Sequence, residues 1–432
     1  MRLSFYSFLR GISLITVLNL FISHNVAYTA RAYYNYQEGV SNLGLYIACL
    51  AMLSLWQYQI YRICSNTPSG IFVSVFSFIL VSPIVFLPFF NPAYNLFDNI
   101  FNILVLLGSI HIIIFISNSK KRTTIVRGIH MNELFFRVIL GILLIIGILQ
   151  LITYFGHIMS LEWSSMYDRR LIAREIFSDN LFLRYYNSLF GALLVPFCAL
   201  YGSAYRSYSL VFLSFVGAFV SFAAFGGKGV FFSPLLGFLL GIYFVRTTNR
   251  NFFLNLAFLF TIFCGLCSLE IVLFTNDLHL LNSYAFRRIF YVPAELTYQY
   301  WEYFSNNPVY LMSDSILGSI FGGSPQEYSK SRLIGGIYYG KYIMNANTGI
   351  FGSAYGDFGL LGMPLIAFIA GLIIRYLNRV FEQKNSIIVV AYSIFIALTW
   401  TQGALHTSLL SNGIIYTLLI LLFIPKRPVI YQ

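Results

Sequence analysis

Apolar runs of about 20 residues recur along nearly the whole chain, and no other feature limits its fold as much. In hydrocarbon a backbone N–H or C=O finds no water, so a run of this length spans a bilayer only as a helix that satisfies those groups internally. The 432 residues are 58% hydrophobic and 10% charged, against roughly 25% charged in a soluble domain. The chain reads as an all-α polytopic membrane protein, a single integral membrane domain over 1–432. About twelve transmembrane helices are expected, at 12–30, 43–61, 71–90, 100–117, 138–157, 185–203, 208–225, 230–245, 252–274, 359–377, 386–402 and 408–424. The first run is too long for a signal-peptide core and more spans follow it, so it reads as an uncleaved helix.

Charge sets the expected orientation. The net charge of +12 is spread unevenly. Lys120, Lys121, Arg122, Arg246, Arg379, Lys384 and Lys426 fall in one alternating set of loops, and Glu162, Asp168, Asp277, Glu295, Asp314 and Asp357 in the other. This is the positive-inside pattern. It places both termini in the cytoplasm and two loops outside, 158–184 and the long 275–357, the latter carrying short amphipathic helices. The basic excess therefore reports topology and a lipid bilayer as partner, and no nucleic acid. Of the five cysteines none falls in the long loop, so no disulfide framework is implied. Cys264 and Cys267 read as small core residues of a hydrophobic helix.

The long loop concentrates the chemistry. Arg287 and Arg288 precede an aromatic stretch in which Pro293 suits a first helical position and Glu295 a first turn. Tyr298, Trp301, Tyr303 and Phe304 on that helix suggest a segment lying at a membrane interface. In the shorter outer loop, Arg170 and Arg174 stand one helical turn apart beside Arg169. Their mutual repulsion is offset either by Asp168, Glu175, Asp179 or headgroups, or by a phosphate shared with Arg287 and Arg288. Lys228 sits in the turn Gly226-Gly227-Lys228-Gly229, which is either an anion nest or a tight hairpin with a snorkelling lysine. Gly349, Gly352, Gly356, Gly359 and Gly362 give a smooth face for close helix packing, and Asn345, Asn347, Thr348 and Asp357 beside them offer hydrogen bonds suited to sugars. His406, at the tip of the last hairpin, is either an interface residue or a proton carrier. No spacing suits a metal, a P-loop or a nucleophile elbow. Inside the spans polar groups are few, chiefly Asn19, His24, His111 and Glu270, which argues against an ion-coupled transporter.

Three stretches resemble the O-antigen polymerase (Wzy) family: Arg288-Ile-Phe-Tyr-Val-Pro-Ala294, Tyr300-Trp-Glu-Tyr-Phe-Ser-Asn-Asn-Pro308, and Ala346-Asn-Thr-Gly-Ile-Phe-Gly-Ser-Ala-Tyr-Gly-Asp-Phe-Gly-Leu-Leu-Gly362. The layout of spans around one large outer loop is similar too. The Arg-x10-Gly spacing of some members is not present, since Asn180, Leu181, Tyr298 and Gln299 stand where that glycine would be. The resemblance implies a GT-C-like glycosyltransferase in the bacterial inner membrane, joining undecaprenyl-pyrophosphate-linked oligosaccharides at the periplasmic face. It implies no cofactor and no metal, and it admits a chain-length regulator protein as partner. The arginines would neutralise the departing pyrophosphate. Glu295, Asp168, Asp357 or His406 would take the acceptor proton, with Arg169, Lys228, Tyr291, Asn345, Asn347 and Asp357 as substrate contacts. A ligase using the same donor and a lipid-linked oligosaccharide flippase are the alternatives.

Overall fold

The computed structural model describes residues 5–34, 40, 42–64, 67–119, 131–162, 164–246, 251–274, 279–315, 318, 327–384 and 386–425. Among the described residues every regular element is helical. Ten helices are long and apolar enough to cross a membrane, which makes this a multi-pass membrane protein. The helix expected at 386–402 is present as Ile387–Gln402, and that expected at 408–424 is shortened to Ile414–Phe423; both are apolar but shorter than those ten. The second is cut short because the run is broken by a turn with Gly413 at φ 78°. The span expected at 359–377 is longer than its hydropathy suggested. It starts inside the polar loop and runs Ile350–Lys384, bent at Gly359–Leu361.

In chain order the helices are α1 (Phe5–Tyr34), α2 (Leu43–Cys64), α3 (Pro68–Phe76), α4 (Ser82–Phe90), α5 (Leu96–Ser117), α6 (Glu133–Phe155), α7 (Met166–Asp179), α8 (Leu181–Leu189), α9 (Val195–Ala204), α10 (Tyr208–Phe225), α11 (Lys228–Arg246), α12 (Phe252–Leu273), α13 (Val292–Asn306), α14 (Lys330–Tyr339), α15 (Ile350–Phe358), α16 (Gly362–Lys384), α17 (Ile387–Gln402), α18 (Leu405–Leu410) and α19 (Ile414–Phe423). Three π-helical segments join helices end to end: Ser77–Val81, Phe190–Leu194 and Leu281–Tyr291. Each stops two residues before a proline, Pro83, Pro196 or Pro293. Proline has no N–H to donate and its ring crowds the carbonyl four residues back, so the preceding turn widens. At Pro83 the widened turn closes with the Ser82 N–H donating to Ser77 C=O. That carbonyl also accepts from Ser82 Oγ at 3.0 Å and from Gln57 Nε2 at 3.2 Å.

The chain divides into two compact units, one of Met1–Lys120, Arg250–Asn378 and Ile396–His406, the other of Lys121–Asn249, Arg379–Phe395 and Thr407–Gln432. In the first, α3 and α4 are buried along their whole length, and α1, α2, α5, α12 and α13 pack around them. The polar residues of its spans are paired. Asn19 bonds Ser54, Gln57 and Ser82, His24 bonds Ser268, and Trp56 donates to His111 at 3.0 Å. In the second unit α9 packs between α10 and α11, and α10 also against α6. Gly237 lets α11 approach α9 closely, since a Cβ there would stand 2.5 Å from Pro196 C=O.

Candidate functional site

The site is built on the continuous helix from Leu281 to Asn306 in the first unit. Glu270, at the end of α12, starts it. Its carboxylate accepts the N–H of Leu281 at 3.0 Å and of Asn282 at 2.9 Å, satisfying two donors that a helix start leaves open. Asn282 then bonds Asn25 (2.9 Å) and Thr29 (3.1 Å) on α1, which fixes the helix against the end of α1 where Tyr33 and Tyr34 lie.

Sequence reasoning placed the aromatic part of this helix at a membrane surface, and the structure corrects that. Pro293 to Trp301 are all buried, and so is Phe304. Tyr298 donates to Ile84 C=O at 2.8 Å and stacks on Tyr94, and Trp301 packs edge-on to Tyr298. Dense Tyr and Trp mark both interfacial belts and packed cores, and burial around α13 decides for the core. Pro293 is likewise not the start of a helix. It lies inside one, and the π-helical turns before it carry both arginines.

Arg287 and Arg288 part company. Arg288 is exposed, whereas Arg287 is half-buried with its guanidinium 4.4 Å over the Tyr33 ring. The Arg287 charge acts on Glu295, to which the Tyr34 hydroxyl donates a hydrogen bond. Glu295 is only 2% exposed. Burial pushes its carboxyl up to about 7, while the Tyr34 hydrogen bond and Arg287 pull the other way. Its Oε2 has no hydrogen-bond partner among the described residues, and neither has Arg287 Nε. One turn further along α13, Gln299 bonds the hydroxyl of Tyr339 on α14 at 3.0 Å. Tyr291, expected to touch substrate, is fully buried and stacks on Tyr34 at 5.1 Å.

A second polar cluster occupies the neighbouring face of α13. Lys330, the first residue of α14, has its side chain 5% exposed. Its Nζ bonds Asp357 Oδ1, and Asp314 Oδ1 lies at 3.4 Å. Its backbone N–H donates to Asp314 Oδ2 at 2.9 Å. Asp357 also holds the preceding loop, accepting the N–H of Met312 on its carboxylate (2.9 Å) and of Leu311 on its carbonyl (3.0 Å). Leu311 and Met312 have φ of 50° and 61°, a conformation that costs a side-chain-bearing residue about 1–3 kcal/mol each and is held by those bonds. Gly356 makes room for the cluster, because a Cβ there would meet Lys330 Cδ and Phe304 at 3.1 Å. The charges of Lys330, Asp357 and Asp314 all act on half-buried His406; burial first and Lys330 next hold its imidazole below the usual histidine range.

The structure thus brings Glu295 and Arg287 together, and Asp357 and His406. It leaves Asn345 and Asn347 exposed, Asn345 within 3.4 Å of Ser331 Oγ. In the second unit Arg170 donates to Gly226 C=O at 2.8 Å, tying α7 to the short turn before α11; Lys228, expected in that turn, is the first residue of α11. Arg169 is 3% exposed and donates to Glu162 C=O and Ser165 Oγ. Asp168 is exposed. The Arg174 side chain lies outside the described residues. Residues that sequence reasoning missed are Tyr34, Gln299, Tyr339, Asp314 and Lys330. The signal for one of them was available: Glu295 and Gln299 share one helix face at a spacing of four.

Among the described residues no group of His, Cys, Asp or Glu could hold a metal ion. Compared with known proteins, the chain matches no family model, no curated protein and no solved structure.

Proposed function

We propose that the protein is a membrane glycosyltransferase of the O-antigen polymerase type, joining oligosaccharide units carried on undecaprenyl pyrophosphate. The reading extends to a GT-C-like fold of about twelve membrane segments, the two shorter helices included, in a bacterial inner membrane with the Glu295 site toward the periplasm. One observation carries it: a buried carboxyl tuned to about 7 shares a small polar site with a half-buried guanidinium. Glycosyl transfer from a pyrophosphate donor needs that pair. The acceptor hydroxyl attacks the anomeric carbon, a new C–O bond forms, and the bond to pyrophosphate breaks with its electrons. Glu295 takes the hydroxyl proton, and a base is most effective when its pKa lies near the working pH. Arg287 offsets the charge that grows on the departing pyrophosphate, in surroundings where such a charge is poorly screened.

The test is the glycan ladder of cells with and without the chain. A ladder collapsed to a single repeat supports polymerisation. Complete loss of lipid A attachment indicates a ligase, and repeats held in the cytoplasm indicate a flippase; either result overturns the proposal.

A further inference from the structure

Glycosyl transfer by Glu295 and Arg287 leaves Gln299 without a task. Gln299 is 3% exposed and lies one turn past Glu295 on the same face of α13. Its Nε2 donates to Tyr339 Oη at 3.0 Å, and its Oε1 has no hydrogen-bond partner among the described residues. Turning the amide over only exchanges its ends. In either setting Tyr339 holds one end and the other is open. A buried polar atom left so normally meets a bound molecule, water included. Glu295 Oε2 is a second such atom. Side chains four apart on a helix stand about 5–6 Å apart at Cβ, so the two open groups are neighbours. What fits both is a molecule with more than one hydroxyl. A hydroxyl donates to a carboxylate, and it can donate to or accept from an amide end.

We propose that Gln299, oriented by Tyr339, positions the acceptor sugar: its open amide end binds a hydroxyl beside the attacking one and so presents the attacking hydroxyl to Glu295. Gln299 then decides which hydroxyl is glycosylated. This rests on the reading of Glu295 as the base.

The test uses the full chain in nanodiscs, with lipid-linked repeat units accumulated by cells from which the chain has been deleted. Gln299→Met keeps the length and removes the hydrogen bonds; Tyr339→Phe keeps the ring and frees the amide. The expected result is a kcat/KM about 10-fold lower for Gln299→Met, with a smaller fall for Tyr339→Phe. Methylation analysis of the residual polymer should show a second linkage, which mere loosening of the fold would not produce. Native kcat/KM and a single linkage in folded Gln299→Met overturn the proposal and leave the amide end holding water. If Gln299→Met does not fold, the same native result in Tyr339→Phe overturns it. Native activity in Glu295→Gln would overturn the reading of the base itself, and this proposal with it. An inactive Glu295→Gln beside a native Gln299→Met overturns the role of Gln299 alone.

Discussion

Two buried polar clusters flank α13, and they differ in what they leave unsatisfied. Around Lys330 the groups are turned on one another: one ammonium lies between two carboxylates, Asp357 also accepts two backbone N–H groups, and Asp314 Oδ1, without a hydrogen bond among the described residues, stands 3.4 Å from the Lys330 Nζ. Around Glu295 the inventory stays open, with Glu295 Oε2, Gln299 Oε1 and Arg287 Nε unpartnered among the described residues. A cluster whose one open oxygen faces its own ammonium holds a shape and has little left to offer a ligand. An open one costs stability and keeps hydrogen-bonding capacity ready for something that is not part of the chain. The first is therefore a fastening and the second a site.

The largest expected effect falls on the fastening. Lys330→Ala leaves two buried carboxylates without their cation, and losing one partner of such a set costs about 3–5 kcal/mol. A clear fall in the apparent melting temperature of the purified protein checks this. Melting like the native chain would mean that the cluster does not hold α14 and α15 together.

Arg287→Ala is expected to act on rate. A charge-assisted hydrogen bond contributes roughly 1.5–3 kcal/mol, so turnover should slow about 10- to 150-fold at tenfold per 1.36 kcal/mol. Arg287→Lys should recover only part, because lysine keeps the charge and loses the planar fork. Arg288→Ala should cost less than Arg287→Ala, since Arg288 is exposed. Equal losses at both positions would restore the adjacent pair as a unit. Arg31→Ala, on a residue whose guanidinium lies 5.9 Å over Tyr28, is the control and should change chain length little.

A smaller effect concerns pH. A base titrating at about 7 must be ionised to work, so the rate should rise as pH passes upward through that value. Tyr34 from α1 and Arg287 from the same helix face this carboxyl and both favour its charged form. Removing the hydroxyl in Tyr34→Phe should shift the midpoint of the rate profile to higher pH. A shift downward, or none, would show that the profile belongs to another group, with His406 the first to examine. Stability runs the opposite way. A carboxyl whose folded pKa is raised contributes fully below about pH 4.5, and that contribution fades as pH rises through about 7.

The spans were legible because hydropathy is a sum over about 20 residues and tolerates local irregularity. Where it failed, local geometry had intervened. Gly413 broke the last run, and the apolar end of α15 extended the tenth span into what read as a polar loop. The three prolines marked the π-helical joints, yet nothing in Pro293 alone says whether a helix starts there or is distorted there. Of the site, Glu295 and Arg287 could be named because arginine and glutamate are scarce in so apolar a chain. Tyr34 and Tyr339 could not, being two of 32 tyrosines whose approach to Glu295 and Gln299 is set by tertiary packing. Lys330 was hidden for a related reason. A lysine in a polar loop is normally solvated, and only the fold places it at 5% exposure between two aspartates.

The most direct test compares one acid from each cluster. Glu295→Gln and Asp357→Asn both remove a carboxylate at nearly constant shape. Polymerisation of lipid-linked repeat units is measured per molecule of folded protein. The account predicts that Glu295→Gln melts no lower than the native chain and polymerises about 100- to 10,000-fold more slowly, the usual contribution of a positioned base. It predicts that Asp357→Asn melts lower and keeps most of its rate per folded molecule. Native polymerisation by Glu295→Gln, with the rate lost instead in Asp357→Asn, would contradict it and move the chemistry to Lys330, Asp357 and His406.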